Sequence, residues 1–357
     1  MNQLDDVEGI KKLQGGDVVI KSIDSLPLQL KDSFEKSYLV KFPKSYEKVT
    51  KVVICGQGGS RFPSLILKNL FKDVLKVPYI INDDYILPGF VDKNTLVILS
   101  SYSGTTEEVL FSAEAALKKG AKICGITVGS KLAEFLEKHK LPHYRINPIY
   151  NPSNQPRIGF GYFVGGHMGF LFKLKFVKFN KKEFEAAIKR LDTLSKKFRV
   201  EVKTSNNVVK QLATKLYQRY PFYIVGEFLR GVGNSMANQT NETAKAISDF
   251  RVIPELNHHL MEGLKFPDIL KKLLIFVFFY SRFYSMRIQK RFKITKEVVE
   301  KNKVESVWFE LQGKNKVEQT LELMSVGSYL SMYLSVLYNE DPKVVPYVDY
   351  FKKRLAE

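Results

Sequence analysis

The chain has 357 residues, 45% hydrophobic and 26% charged, with 56 Lys and Arg against 37 Asp and Glu for a formal net charge of +19. That balance excludes a disordered or fibrous chain, and the length accommodates two packed domains of ordinary size. The opening MNQLDDVEGIKKLQGG is polar and carries no apolar run, unlike a secretory leader. The most apolar stretch, residues 273–280, falls far short of the roughly twenty residues a bilayer span requires.

Cys55 and Cys124 each sit in an apolar run that reads as a core strand, and two such cysteines make no disulfide framework. No Cys/His cluster has zinc spacing, so neither a metal nor a cofactor is expected, and the chain reads as cytoplasmic. Lysines are spread thinly and form no basic block interleaved with aromatics, so no nucleic-acid or membrane partner is expected. The positive field suits the steering of a small anionic metabolite.

In chain order, a helix is predicted around residues 28–38. From Lys51 short apolar runs then alternate with helical periodicity: a strand at KVVICG, a helix over 62–75, and a strand at VPYII. A strand at TLVILSS, a helix from Thr106, a strand at AKICGITV and a helix over 132–140 follow. This alternation predicts an α/β fold with doubly wound parallel sheets. The Asn- and Pro-rich stretch 147–158 is loop chemistry. Helical patterns cover 160–176, 181–198 and 206–220. Alternation resumes with a strand at PFYIVGE, a helix over 233–247, and strands at LLIFVFF and SVWFEL. Two helices close the chain, 316–338 and one ending at Leu355. The expected organisation is an N-terminal α/β domain over 1–150, a helical linker over 151–205, and a second α/β domain over 206–357.

Two loops carry chemistry. Cys55-Gly-Gln-Gly-Gly-Ser60 lies between a strand end and a helix start, where glycines admit a ligand close to the backbone. It lacks the Gly-Lys-Ser/Thr of a P-loop and departs from the dinucleotide fingerprint in spacing. Ser100-Ser-Tyr-Ser-Gly-Thr-Thr-Glu107 occupies the same kind of position. Helix capping needs one hydroxyl, whereas four lie between Ser101 and Thr106, besides Ser100. Such a run at a helix N-terminus is suited to holding a phosphate dianion by hydrogen bonds and the helix dipole.

The strand–SYSGTTEE–helix element resembles the phosphate loop of sugar isomerase (SIS) domains. CGQGGS, PSNQPRIGFGY, NQTNETAK, IPELNHHLMEG and DPKVVPYVDYFKKRL are similar, in the same order, to segments of the bifunctional phosphoglucose/phosphomannose isomerase family. The resemblance implies two SIS-type doubly wound parallel-sheet domains joined by a helical linker, a sugar-phosphate substrate, and a homodimer. It implies phosphate binding by Gly59, Ser60, Ser101, Ser103, Thr105 and Thr106. Glu242 would shuttle the proton between C1 and C2, His258 would open the sugar ring, and Lys352 would assist at the ring oxygen. Arg157 would stabilise the enediolate.

Elementary chemistry supports these roles: a carboxylate as base, an imidazole that exchanges a proton near neutrality, and a fixed cation beside a developing oxyanion. His258 matches better than its neighbour His259. Lys352 is preferred to Lys353 because Asp341-Pro342 and the apolar Val348, Phe351 and Leu355 set the register. Arg61, Phe62 and Pro63 after Ser60, Gln57 inside the first turn, and Thr105 in place of an Asn depart from the family pattern. Val345 lies where the family is thought to tune access to mannose phosphate. Two alternatives remain at this point: a non-catalytic sugar-phosphate sensor, and an isomerase of a different sugar phosphate.

Overall fold

The computed structural model describes residues 3–178, 180–355 and 357. The chain divides into two compact units. One comprises Ser25–Arg190 with Phe228–Val232; the other comprises the N-terminal residues through Asp24, Leu191–Glu227 and Gly233–Glu357.

The first unit is built on five strands: β1 (Lys51–Cys55), β2 (Tyr79–Asn82), β3 (Thr95–Ser101), β4 (Lys122–Thr127) and β5 (His143–Arg145). They pair in the order β2-β1-β3-β4-β5, all parallel. Every residue of the central β3 is buried, which is why its sequence is an apolar run rather than an alternation. Helices Phe62–Leu70, Glu107–Lys118 and Ser130–Lys138 are the crossovers. Helix Phe160–Lys173 is buried from Phe160 through Leu171 and packs on helix Leu26–Tyr38. The strand order turns back between β1 and β3, and ligands of such sheets sit at the carboxyl ends of the strands flanking that point. Both sequence loops singled out above leave those two strands.

The second unit carries β6 (Tyr220–Gly226), β7 (Asp249–Ile253), β8 (Leu274–Tyr280) and β9 (Glu305–Glu310), again all parallel, in the order β7-β6-β8-β9. Helix Lys316–Tyr338 is buried from Gln319 through Val336 and packs on helix Val208–Leu216. The N-terminal residues belong here through polar contacts. The Asp5 carboxylate accepts from Thr204 N at 2.8 Å and from the buried Lys210 Nζ at 3.3 Å, and Tyr329 donates its hydroxyl hydrogen to Asp24.

Several elements differ from the sequence expectation. The helix expected over 62–75 ends at Leu70, and that over 206–220 ends at Leu216, because β6 begins at Tyr220. The helix expected over 233–247 spans Arg230–Ala244 and stops where Lys245 turns left-handed, with φ 53°. β5, β7 and helix Met286–Lys301 were not anticipated. β5 and β7 are sheet edges with half-exposed sequences. Helix Met286–Lys301 is charged at eight of its 16 positions and buries only a stripe of Ile288, Phe292, Thr295 and Val299. No helix among the described residues is long and apolar enough to cross a membrane.

Candidate active site

The hydroxyl loop leaves β3 at the turning point of the first sheet. Gly104 makes it possible: its φ is +71°, and a Cβ there would lie 1.8 Å from the Gly129 carbonyl oxygen, so no L side chain fits. Ser101 is fully buried, accepts from Gly104 N at 3.0 Å, and its Oγ lies 2.7 Å from Thr106 Oγ1. Thr106 is the N-cap of helix Glu107–Lys118, yet its side chain makes no capping bond; its hydroxyl is engaged with Ser101. The helix start is therefore not closed by its own cap, which is the state in which its first-turn N–H groups serve an anion. Ser103 and Thr105 are exposed on the loop's outer side. Ser103 Oγ accepts from both Thr105 N, at 3.2 Å, and Thr105 Oγ1, at 3.0 Å.

The Gly-rich turn after β1 meets this loop directly. Ser60 is buried, and its Oγ accepts from Tyr102 N at 3.0 Å. Gly59 lies against the segment that carries Arg157: a Cβ on Gly59 would come within 2.6 Å of Arg157 N and of the Pro156 carbonyl carbon. Arg157 is only 1% exposed, and its Nη1 donates to Gln155 Oε1 at 2.8 Å. Burying a guanidinium is costly unless it serves a charge, so a polar, preorganised position of this kind suits an oxyanion. Arg61, one of the departures from the family pattern, is committed to Asp83 at 2.7 Å, and Gln57 Nε2 donates to the Asp83 carbonyl at 2.8 Å. The structure thus brings Gly59, Ser60, Ser101, Thr106 and Arg157 into one cluster of contacts, with Ser103 and Thr105 at its exposed edge.

Among the residues of the second unit, Glu242 is half-buried in the last turn of helix Arg230–Ala244. Lys245 follows at the turn, and its Nζ donates to the Thr243 carbonyl at 3.2 Å and to the Asp341 carbonyl. The end of the Glu242 helix is thereby tied to the segment preceding helix Pro346–Leu355, on which Lys352 lies exposed. His258 closes the short helical turn Glu255–His258 and is exposed. Its neighbour Asn257 is anchored at both ends of its amide, donating to Thr295 Oγ1 at 2.7 Å and accepting from Arg291 Nη1 at 3.2 Å. His259 faces Glu255 at 3.8 Å instead. Among the described residues no group of three His, Cys, Asp or Glu side chains could hold a metal ion.

Sequence reasoning missed three residues that support this cluster. Tyr102 supplies the N–H for Ser60, Asn151 bonds the Tyr102 hydroxyl at 2.7 Å, and His167 places Nε2 2.7 Å from Ser100 Oγ. Tyr102 was hidden among the hydroxyls of its own loop, and Asn151 read only as loop composition. His167 gave no signal within its apolar helix.

Two doubly wound parallel sheets, the first with a hydroxyl-rich phosphate-type loop at its turning point, define a protein of the SIS-domain sugar isomerase class. The SIS domain model matches residues 45–144, and the model of the bacterial phospho-glucose isomerase C-terminal SIS domain matches residues 205–355. The chain is 33% identical to the bifunctional phosphoglucose/phosphomannose isomerase of Caldicellulosiruptor bescii, over 95% of this chain and 99% of that one. It is 30% identical to the protein of the same name from Thermoplasma acidophilum, over 89% of this chain and 94% of that one. The chain belongs to the bifunctional phosphoglucose/phosphomannose isomerase family. Its fold is shared with a hypothetical protein from Thermus thermophilus, with TM-score 0.74 at 14% identity, covering 97% of this chain and 92% of that one. A putative tagatose-6-phosphate ketose/aldose isomerase from Clostridium novyi NT aligns with TM-score 0.68 at 16% identity, covering 94% and 92%.

Proposed function

We propose that the protein is an aldose–ketose isomerase, an intramolecular oxidoreductase, that interconverts glucose 6-phosphate with fructose 6-phosphate and takes mannose 6-phosphate as a second aldose. The observation that carries this reading is the pairing of a phosphate-type loop whose helix start lacks a side-chain cap with a buried arginine seated on the neighbouring Gly-rich turn. A sensor needs a phosphate loop but not a base, an imidazole and two cations together, and the chain carries Glu242, His258 and Lys352 besides Arg157.

Ser60, Ser101, Thr106 and the loop amides hold the phosphate, with Ser103 and Thr105 at the rim. His258 and Lys352 move the ring-opening proton between the anomeric hydroxyl and the ring oxygen. Glu242 then takes the C2 proton of the open aldose. The C2–H electrons form the C1–C2 double bond and the carbonyl electrons move onto O1, giving a cis-enediolate whose charge Arg157 stabilises. The proton passes from O2 to O1, C2 becomes the carbonyl, and Glu242 returns its proton to C1.

A homodimer and a cytoplasmic setting belong to the same reading. The segment that bears His258 carries large exposed apolar residues, Phe266 and Ile269, 64% and 52% exposed, which a second copy would cover. Both cysteines are free thiols, as a reducing compartment keeps them.

The test is incubation of the purified protein with fructose 6-phosphate, without added metal, and resolution of the products. Glucose and mannose 6-phosphates together support the full reading. Glucose 6-phosphate alone removes the second activity, and binding without turnover removes this reading in favour of a sensor or an isomerase of a different sugar phosphate.

A further inference from the structure

A chain of hydrogen-bonded side chains, buried except for the half-buried Gln155, links the phosphate loop to Arg157. Asn151 is 2% exposed and its amide is used completely. One hydrogen of Nδ2 goes to the Tyr102 hydroxyl at 2.7 Å, the other to the Gln155 carbonyl at 3.1 Å, and Oδ1 accepts from Ser153 Oγ at 2.6 Å. Ser153 Oγ in turn accepts from Gln155 N at 3.3 Å. The Gln155 backbone is thus held at both its N–H and its C=O, and its side chain receives the Arg157 guanidinium. At the other end, Tyr102 is fixed by its own backbone, donating N–H to Ser60 Oγ and accepting from Val128 N at 3.2 Å, while its ring packs on Phe163. Burial pushes the Tyr102 phenol up to about 12, so it stays neutral and keeps its acceptor role at working pH.

We propose that Asn151 and Tyr102 are positioning residues that fix the Arg157 guanidinium relative to the phosphate loop. The chain Tyr102–Asn151–Ser153–Gln155 then sets the distance from the anchored phosphate to the enediolate, the two ends of one extended substrate. This inference rests on the assignment of Arg157 above. The physical basis is that an oxyanion stabiliser works through preorganisation: its guanidinium must not reorganise as charge develops, and small displacements cost rate. Ser60, Ser101 and Thr106 hold their own geometry without Asn151, so the phosphate should not feel its loss.

The experiment is a mutant cycle with Tyr102→Phe, Arg157→Lys and the double variant. Each is measured for kcat and KM with fructose 6-phosphate and for inorganic phosphate affinity by calorimetry. Tyr102→Phe keeps the ring, its packing and the backbone bond to Ser60, and removes only the oxygen that Asn151 holds. It should lower kcat about tenfold, with inorganic phosphate affinity unchanged. In the R157K background the same change should have no further effect, because the group being positioned is already gone. Ser153→Ala, which cuts the chain on the other side of Asn151, should reproduce the pattern. Equal factors lost in both backgrounds, or phosphate affinity falling in step with kcat, would overturn the positioning role while leaving Arg157 its function. Full activity of Arg157→Lys alone would instead overturn the assignment of Arg157.

Discussion

His167 offers a quantitative test of how the phosphate loop is supported. It lies on helix Phe160–Lys173 with no exposed surface, its Nε2 2.7 Å from Ser100 Oγ, immediately before the hydroxyl loop. Burial pulls its pKa down to about 3 from the ordinary imidazole value. Its Nδ1 has no hydrogen-bonding partner among the described residues, so nothing there rewards a second proton. The unfolded chain takes that proton near pH ~6.5, the folded chain only near 3. Between those values the unfolded state binds more protons, and stability falls as the pH falls. One such group costs up to about 1.4 kcal/mol per pH unit, hence about 2 kcal/mol by pH ~5. Urea unfolding of the wild type and His167→Gln at pH ~7.5 and pH ~5 isolates the contribution, because titrations common to both proteins cancel. The wild-type advantage over the variant should shrink by about 2 kcal/mol between the two pH values. A pH-independent difference would refute the claim that a neutral, buried imidazole braces the loop.

Two further outcomes follow from the site itself. Glu242→Gln should leave inorganic phosphate and sugar-phosphate binding close to the wild type and abolish exchange of the C2 hydrogen with solvent deuterium, followed by NMR; persistent exchange would mean another base. Gly104→Ala places a Cβ 1.8 Å from the Gly129 carbonyl oxygen at a left-handed φ, so the loop must move. It should cost more than the roughly 1–2 kcal/mol of the backbone conformation alone and weaken phosphate binding, read by thermal unfolding and calorimetry.

The parts of the fold that sequence makes legible are those whose burial leaves a periodic trace. β3 and β8 read as unbroken apolar runs because helices cover both faces of their sheets, and TLVILSS and LLIFVFF carry that signature directly. β7, DFRVI, is a half-exposed edge bonded on one side only, and β5 is three residues long; neither presents a run or a clean alternation. Helix Met286–Lys301 has a stripe at positions 288, 292, 295 and 299, but Thr295 interrupts its apolar character and charge surrounds it. The N-terminal residues through Asp24 join the unit formed by the C-terminal half through Asp5 and Asp24, acidic side chains that any surface helix would carry.

The candidate site divides along the same line. The hydroxyl loop and the Gly-rich turn are contiguous, so their chemistry is visible as short strings of residues. What holds them together is not: Ser60 meets Tyr102 across 42 positions, Asn151 reaches Tyr102 across 49, and His167 reaches Ser100 across 67. No helical or strand period relates such pairs: the first bond exists because β1 and β3 pair side by side, and the other two because the loop after β5 and helix Phe160–Lys173 pack back onto the end of β3. Contacts of this kind carry the least signal in sequence and the most consequence for geometry. A phosphate held by amides and hydroxyls has no strong counter-charge to recentre it, so its position depends on how rigidly the loop is tied. In the proposed mechanism the loop binds the phosphate, the bonds from Ser60 and His167 tie that loop to the scaffold, and the Asn151 chain sets where Arg157 stands relative to it.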